Sequence, residues 1–263
     1  MIDYSFPLEE LEYFLLILIR VSCFIFVAPF FGSSEFPRIT KAALSVFVAI
    51  ALYGAIPVHE YPVYDSILQY SIIILKEAIT GLLIGIGAQF CTLIVSFAGN
   101  IIDTEIGFSM ASVMDPTTRQ NLTLTSMMYN YTFMLLFIVT GMYRYLIGAL
   151  HDSFALIPVG GAEFILYDLY NSFLKFMSDF IIIGFRIALP VFCSILLLNG
   201  ILGIMAKVSP QMNMFSVGLQ IKVLAGLGVL FLTAGLLPQA ADFIFTQMKV
   251  MIVAFVKAMG GTG

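Results

Sequence analysis

Gaps between charged residues divide the chain into long apolar segments. Five uncharged runs are long enough to cross a bilayer: 42–59, 78–102, 120–143, 187–206 and 223–241. A sixth segment, 11–31, reads as apolar around Arg20. At about 1.5 Å of rise per residue, each run as a helix approaches the ~30 Å hydrocarbon thickness. The last segment, 243–259, is amphipathic and shorter, and reads as an interfacial or packing helix. Sustained period-two alternation is absent, which argues against a β-barrel. The fold class expected is all-α: a polytopic helical membrane protein with about six long hydrophobic helices, some broken, and a C-terminal helical hairpin.

Turn-forming residues fall between the runs. Gly32, Ser33, Ser34 and Pro37 occupy 31–38, and Pro62 lies in 61–64. Asp115-Pro116 opens 115–121, where Asp-Pro starts a turn. The stretches 156–161 and 209–213 carry Pro158-Val159-Gly160-Gly161 and Ser209-Pro210. None of these loops is long enough to form a separate soluble domain.

Composition strengthens the membrane reading. Of 263 residues, 60% are hydrophobic and 11% are charged, with a mean hydropathy of +1.03. Soluble domains carry about 25% charged residues, so this chain has too few to cover a water-facing surface. A net charge of -4, dispersed along the chain, gives no footprint for nucleic acid. Basic residues flank the first loop (Arg38, Lys41) and a late one (Lys207, Lys222), whereas the N-terminus is acidic. By the positive-inside rule, six spans with the N-terminus outside satisfy this pattern. The acidic flank also differs from the basic start of a secretory signal.

Candidate chemistry is sparse. Cys23, Cys91 and Cys193 lie in apolar runs and read as small buried hydrophobes, and an odd count argues against a closed disulfide framework. His59 and His151 match no metal-ligand spacing. No Walker, HExxH, GxSxG or CxxC pattern occurs. Asp103 and Asp115 raise an intramembrane aspartyl protease, but the Gly-x-Gly-Asp pattern of that class is missing. Catalytic, cofactor-binding and metal sites are all expected to be absent.

Three features do not suit free helices in lipid. Arg20 sits within its segment, Lys76 and Glu77 abut the third, and Arg186 abuts the fifth. A charge at the bilayer centre costs about 3 kcal/mol on insertion scales, so each must pair, snorkel or face protein or water. Adjacent residues do not share a helix face, so Lys76 and Glu77 need separate partners. Gly81 and Gly85 form a GxxxG, and Gly184/Ala188 and Gly200/Gly203 make similar small faces. Such faces let backbones approach closely, within the chain or against partners. Finally, 102–121 is rich in Gly, Ser and Met, with Asp103, Glu105 and Asp115 close by. Irregular backbone at membrane depth persists only against protein or a cavity, and soft Met side chains suit a deformable seal. An ordinary solvated loop is the alternative for this segment.

Taken in order, several stretches resemble one family. They are Arg20-Val21, Ala28-Pro29 and Pro37-Arg38 with Lys41; Gly81 to Gln89-Phe90; and Ala98-Gly99-Asn100-Ile101-Ile102. The most specific is Gly107-Phe108-Ser109-Met110-Ala111-Ser112 running into Asp115-Pro116, followed by Asn121. Leu156-Ile157-Pro158-Val159-Gly160, Ala188-Leu189-Pro190-Val191 and Ser209-Pro210-Gln211-Met212 complete the series. Over nearly its whole length the chain resembles the family of the flagellar biosynthetic protein FliR and its injectisome counterparts, membrane proteins of the type III secretion export gate.

The resemblance implies a non-enzymatic role in the bacterial inner membrane, at the flagellar basal body. It implies a pore built with FliP-like and FliQ-like subunits, through which unfolded export substrates pass, and an FlhB-like switch protein at the entrance. It implies that 1–175 is FliP-like and that 176–263 is a FliQ-like helical hairpin plus C-terminal helix, with the hairpin over 176–241 turning at 207–222. It places a pore plug on Gly107, Phe108, Ser109, Met110, Ala111, Ser112, Val113 and Met114. It suits Arg20, Lys76, Glu77, Gly81, Gly85, Arg186, Pro210, Gln211 and Lys222 to helix packing or partner contact. It also implies that protein partners, rather than membrane lipid alone, cover the helices. A small secondary transporter is the main alternative, although its inverted halves are not visible here. An injectisome subunit is the nearer alternative, and the Met-Ala-Ser-Val-Met-Asp-Pro stretch favours the flagellum.

Overall fold

In the computed structural model the residues described are 8–33, 36–56, 61–62, 64–108, 113–114, 121–209 and 214–260. Eight α-helices occur among them: α1 (Leu8–Val27), α2 (Arg38–Ala55), α3 (Ile67–Ile106), α4 (Leu124–Val139), α5 (Met142–Leu156), α6 (Leu166–Val208), α7 (Met214–Thr233) and α8 (Leu237–Met259). A 3-10 turn, Ala234–Leu236, links α7 to α8. Two short strands, β1 (Val113–Met114) and β2 (Asn121–Leu122), pair antiparallel between α3 and α4.

The fold is the all-α polytopic one expected, but its helices do not end where the charges are. α3 begins before Lys76 and Glu77, and its 40 residues include both. α6 begins well before Arg186 and runs for 43 residues. A charge inside a helix needs only a partner or a route to water, so it does not terminate the helix. Asp242 likewise lies inside α8. The expected separate helix over 243–259 is therefore the end of α8, which begins at Leu237.

Among the described residues, four helical stretches are long and apolar enough to cross a membrane: α2, α3, α6 and Val217–Met259. The expected span over 120–143 is instead divided. α4 stops at Val139, Gly141 takes a left-handed φ of 71°, and α5 departs at 69°. Counting this bent pair as one span gives five. Glycine adopts that backbone without a Cβ clash, which makes the break possible. α1 is the remaining expected span; with Glu9, Glu10, Glu12 and Arg20 in its 20 residues it does not meet the same apolar criterion.

The chain forms two compact units. The first comprises 1–90, 141–176 and 247–263. Its core joins Leu16, Ile17 and Phe24 of α1 with Ile84 and Phe90 of α3, Leu146 and Leu150 of α5, and Met251 and Phe255 of α8. Phe90 packs against Phe176 with the rings tilted by 53° and their centroids 4.8 Å apart. Buried Lys41 of α2 donates to the Gly32 carbonyl at 2.8 Å, which ties α2 to the loop after α1. The second unit comprises 91–140 and 177–246. Ile94, Ala98, Ile102 and Ile106 of α3 line up at helical spacing in its core, with Phe133 and Phe137 of α4 and Ala188 and Val191 of α6. The Phe97 ring lies where a Cβ on Gly184 would stand, 2.3 Å from it. Cys91 is buried, but Cys23 is half-buried and Cys193 is exposed, contrary to the expectation of three buried thiols.

Candidate functional site

In the first unit, two of the charges that do not suit free helices in lipid meet each other. Arg20 and Glu77 are both fully buried. The Arg20 Nε donates to Glu77 Oε2 at 2.6 Å and an Nη donates to Oε1 at 2.9 Å, a two-pronged pair. The second Nη of Arg20 donates to the carbonyl of Ile157 at 3.0 Å. That carbonyl lies just beyond the C-terminus of α5, where a cation is favoured by the helix dipole. Phe154 lies 4.2 Å below the guanidinium carbon. Glu77 also accepts the N–H of Gly160 at 2.8 Å. Gly160 has φ +80°, so the Pro158-Val159-Gly160 turn folds back onto α3 with little strain. The cluster locks α1, α3, α5 and the following loop together.

Gly81, one turn beyond Glu77, explains how the pair can form. A Cβ there would lie 2.1 Å from the Arg20 carbonyl oxygen. Gly85 continues the same face against Phe24 and Val27. The GxxxG thus brings α3 onto α1 backbone to backbone. Lys76 points elsewhere; it is half-buried, with no side-chain partner among the described residues.

In the second unit, a polar ladder joins the end of α3 to the start of α4. Asp103 is fully buried. Its carboxylate accepts the Thr125 N–H at 2.7 Å and the Thr125 hydroxyl. It caps the free amides at the start of α4, the part played by an N-cap residue, although it belongs to another helix. One turn earlier on α3, Asn100 accepts from the Thr123 hydroxyl at 3.0 Å. Two turns earlier, Ser96 accepts from Asn130 at 2.9 Å. Gly99 lies under Ser126, whose Cα would be 2.4 Å from a Cβ on Gly99. This spacing puts Ser96, Asn100 and Asp103 on one helix face. Asp103 is therefore engaged in holding the start of α4.

The ladder fixes the base of the segment expected to be the plug. Gly107 ends α3 with φ +97° and donates its N–H to the Asp103 carbonyl at 3.0 Å. Phe108 follows, half-buried. Ser109, Met110, Ala111 and Ser112 lie outside the described residues. Val113 and Met114 are placed by their backbone, paired with Leu122 and Asn121.

The other expected contact residues stand apart. Arg186 is exposed on α6 with its guanidinium carbon 5.9 Å from the Phe243 ring centre. Lys222 is half-buried on α7. Pro210 and Gln211 lie outside the described residues. Sequence reading missed the bond between Arg20 and Glu77, because 57 positions separate them. It also missed the capping role of Asp103; the only signal was the polar run Thr123, Thr125 and Ser126 at the start of the next helix.

Long apolar helices and buried polar joints define a polytopic helical membrane protein. Residues 11–248 match the family described as bacterial export proteins, family 1. The flagellar biosynthetic protein FliR of Bacillus subtilis is 33% identical over 217 residues, covering 80% of this chain and 81% of that one. The FliR of Escherichia coli is 27% identical, covering 86% and 84%. The FliR of Aquifex aeolicus is 28% identical, covering 87% and 88%. The chain belongs to this export family, among the FliR proteins. It is a multi-pass component of the flagellar protein export apparatus in the bacterial inner membrane. The family is one of export components and not of enzymes.

Proposed function

We propose that the chain forms part of the export pore itself, together with FliP-like and FliQ-like subunits, and that unfolded flagellar proteins pass through it. In this reading 1–175 is the FliP-like part and 176–263 the FliQ-like part. An FlhB-like switch protein acts at the entrance. Residues 107–114 are the plug, with Phe108, Met110, Val113 and Met114 closing the resting pore.

The observation that supports the reading is the joint from which that segment starts. Gly107 follows the last turn of α3, and Asp103 ties α3 to α4. A gate needs a fixed frame and a separate closing element, and this joint supplies a frame. The apolar side chains of α6 support the presence of neighbours. Leu196, Leu197, Ile201 and Ile204 are exposed, and Gly200 and Gly203 have open space around them. Such a face is stable only when lipid or another chain covers it.

Removing 107–114 tests the plug. The resting assembly lacking these residues leaks ions and small solutes, measured as dye or ion flux across inner-membrane vesicles. Permeability equal to wild type sinks the plug assignment. Failure to recover FliP-like and FliQ-like chains with the tagged wild-type protein sinks the shared pore.

A further inference from the structure

The second unit contains a cavity between α4, α6, α7 and α8. It holds about 320 Å³, enough for a small polar group. Arg186 and Pro190 of α6, Tyr129 of α4, Thr233 at the end of α7, and Gln239 and Phe243 of α8 line it. Most of the remaining lining is aliphatic: Ile183, Ile187, Leu236 and Leu237.

Its polar groups Arg186 and Gln239 are exposed. Arg186 makes no ion pair among the described residues; Phe243 is the ring beside it. Gln239 makes no side-chain hydrogen bond among them either. Proline has no N–H, so Pro190 leaves the Arg186 carbonyl without its helical donor. The cavity therefore presents one positive charge, the Gln239 amide with two N–H donors and a carbonyl acceptor, the Tyr129 and Thr233 hydroxyls, and the backbone carbonyl of Arg186. A phosphate diester bearing a hydroxylated headgroup matches that set: its oxygens take the guanidinium and amide, and a hydroxyl serves the carbonyl.

Depth favours a lipid as the source of the phosphate. Arg186 immediately precedes the charge-free run 187–206, so in a membrane it stands at the border between hydrocarbon and headgroups. Along its own helix face Ile182, Leu189 and Leu197 are exposed. Acyl chains can lie along that stripe while the headgroup enters the cavity. Basic pockets between membrane helices bind lipid headgroups in this way.

We propose that this cavity binds an anionic glycerophospholipid, with its phosphate on Arg186 and Gln239. The test uses the intact export complex, purified in detergent and loaded with phosphatidylglycerol. Lipid retained per copy is counted by native mass spectrometry. Wild type holds one phosphatidylglycerol that survives delipidation, and R186K keeps most of it. R186Q lowers retention about tenfold, the loss of one charge-assisted contact. A240F fills the cavity without touching the charge and lowers it similarly, so the idea stays testable even if R186Q disturbs assembly. Phosphatidylcholine, which lacks a headgroup donor, and inorganic phosphate are not retained. Equal retention in wild type and A240F overturns the proposal. Equal retention of inorganic phosphate overturns it in favour of a free-anion site. Photo-crosslinks from position 186 that reach only protein overturn it in favour of a partner's carboxylate.

Discussion

The carbonyl oxygen of Arg20 occupies the space that a side chain on Gly81 would need, at 2.1 Å from the ideal Cβ position. The side chain of Arg20 meanwhile reaches Glu77, one turn earlier on the same helix. The close approach of the backbones and the buried ion pair are therefore one joint. Without glycine at 81, α1 and α3 must separate, and the guanidinium and carboxylate separate with them.

Gly81→Ala is expected to destabilise the protein by about 3 kcal/mol, because backbone rather than a flexible side chain blocks the methyl. Gly85→Ala meets Val27 Cβ at 3.0 Å and should cost less. Thermal melting of the detergent-solubilised protein checks the order. A G85A loss equal to or greater than that of G81A contradicts it.

Arg20 and Glu77 should show strong coupling. Arg20→Leu or Glu77→Leu alone leaves a buried charge without its partner and costs about 3–5 kcal/mol. The double variant removes both charges and should lose much less than the sum. Additive losses would mean that each charge is held by its other contacts, Ile157 and Gly160, more than by its mate.

Asp103→Asn removes the charge that faces the amides at the start of α4. A destabilisation of about 2 kcal/mol is expected, as for a lost charged cap. The same change should raise resting permeability if the loop over 107–123 gates the pore, because its base loosens. Thr125→Val should follow in the same direction with smaller size. Unaltered stability in D103N would remove Asp103 from the frame.

A pH effect is expected outside the membrane helices. The Tyr64 hydroxyl donates to Glu12 at 2.5 Å. That bond, with burial and the charge of Glu12, pushes the Tyr64 hydroxyl up to about 12 from its usual value near 10. The folded state thus holds the proton more tightly than the unfolded chain. The stabilisation is complete below pH 10 and disappears as pH rises through about 12. Melting curves across this range should converge for wild type and Y64F. Parallel curves would exclude the pair as the cause.

Much of the architecture was legible in the order of residues. Apolar runs such as 78–102 and 187–206 are too long and too free of charge to exist outside helices in a low-dielectric setting. The loops at Pro37, Pro62 and Pro158-Val159-Gly160 followed from those residues, because proline and glycine restrict the backbone locally; Asp115 and Pro116 lie outside the described residues. Helix ends were misplaced where Lys76, Glu77, Arg186 and Asp242 served as the boundary, since all four lie inside helices. The break at Gly141 also went unread, because one glycine in an apolar run does not announce a left-handed φ.

By itself, then, the sequence determined the class of solvent this protein lives in, the helical fold and the family, since these rest on composition, local backbone preference and residue order. It marked Arg20, Glu77, Asp103 and Arg186 as charges that need an explanation. Only the tertiary structure decided what the explanation is. Arg20 answers Glu77, Asp103 caps a neighbouring helix, and Arg186 faces an open cavity. Long-range pairing depends on which backbones can touch, and that depends on glycines at 81, 99 and 184 meeting surfaces far away in the chain.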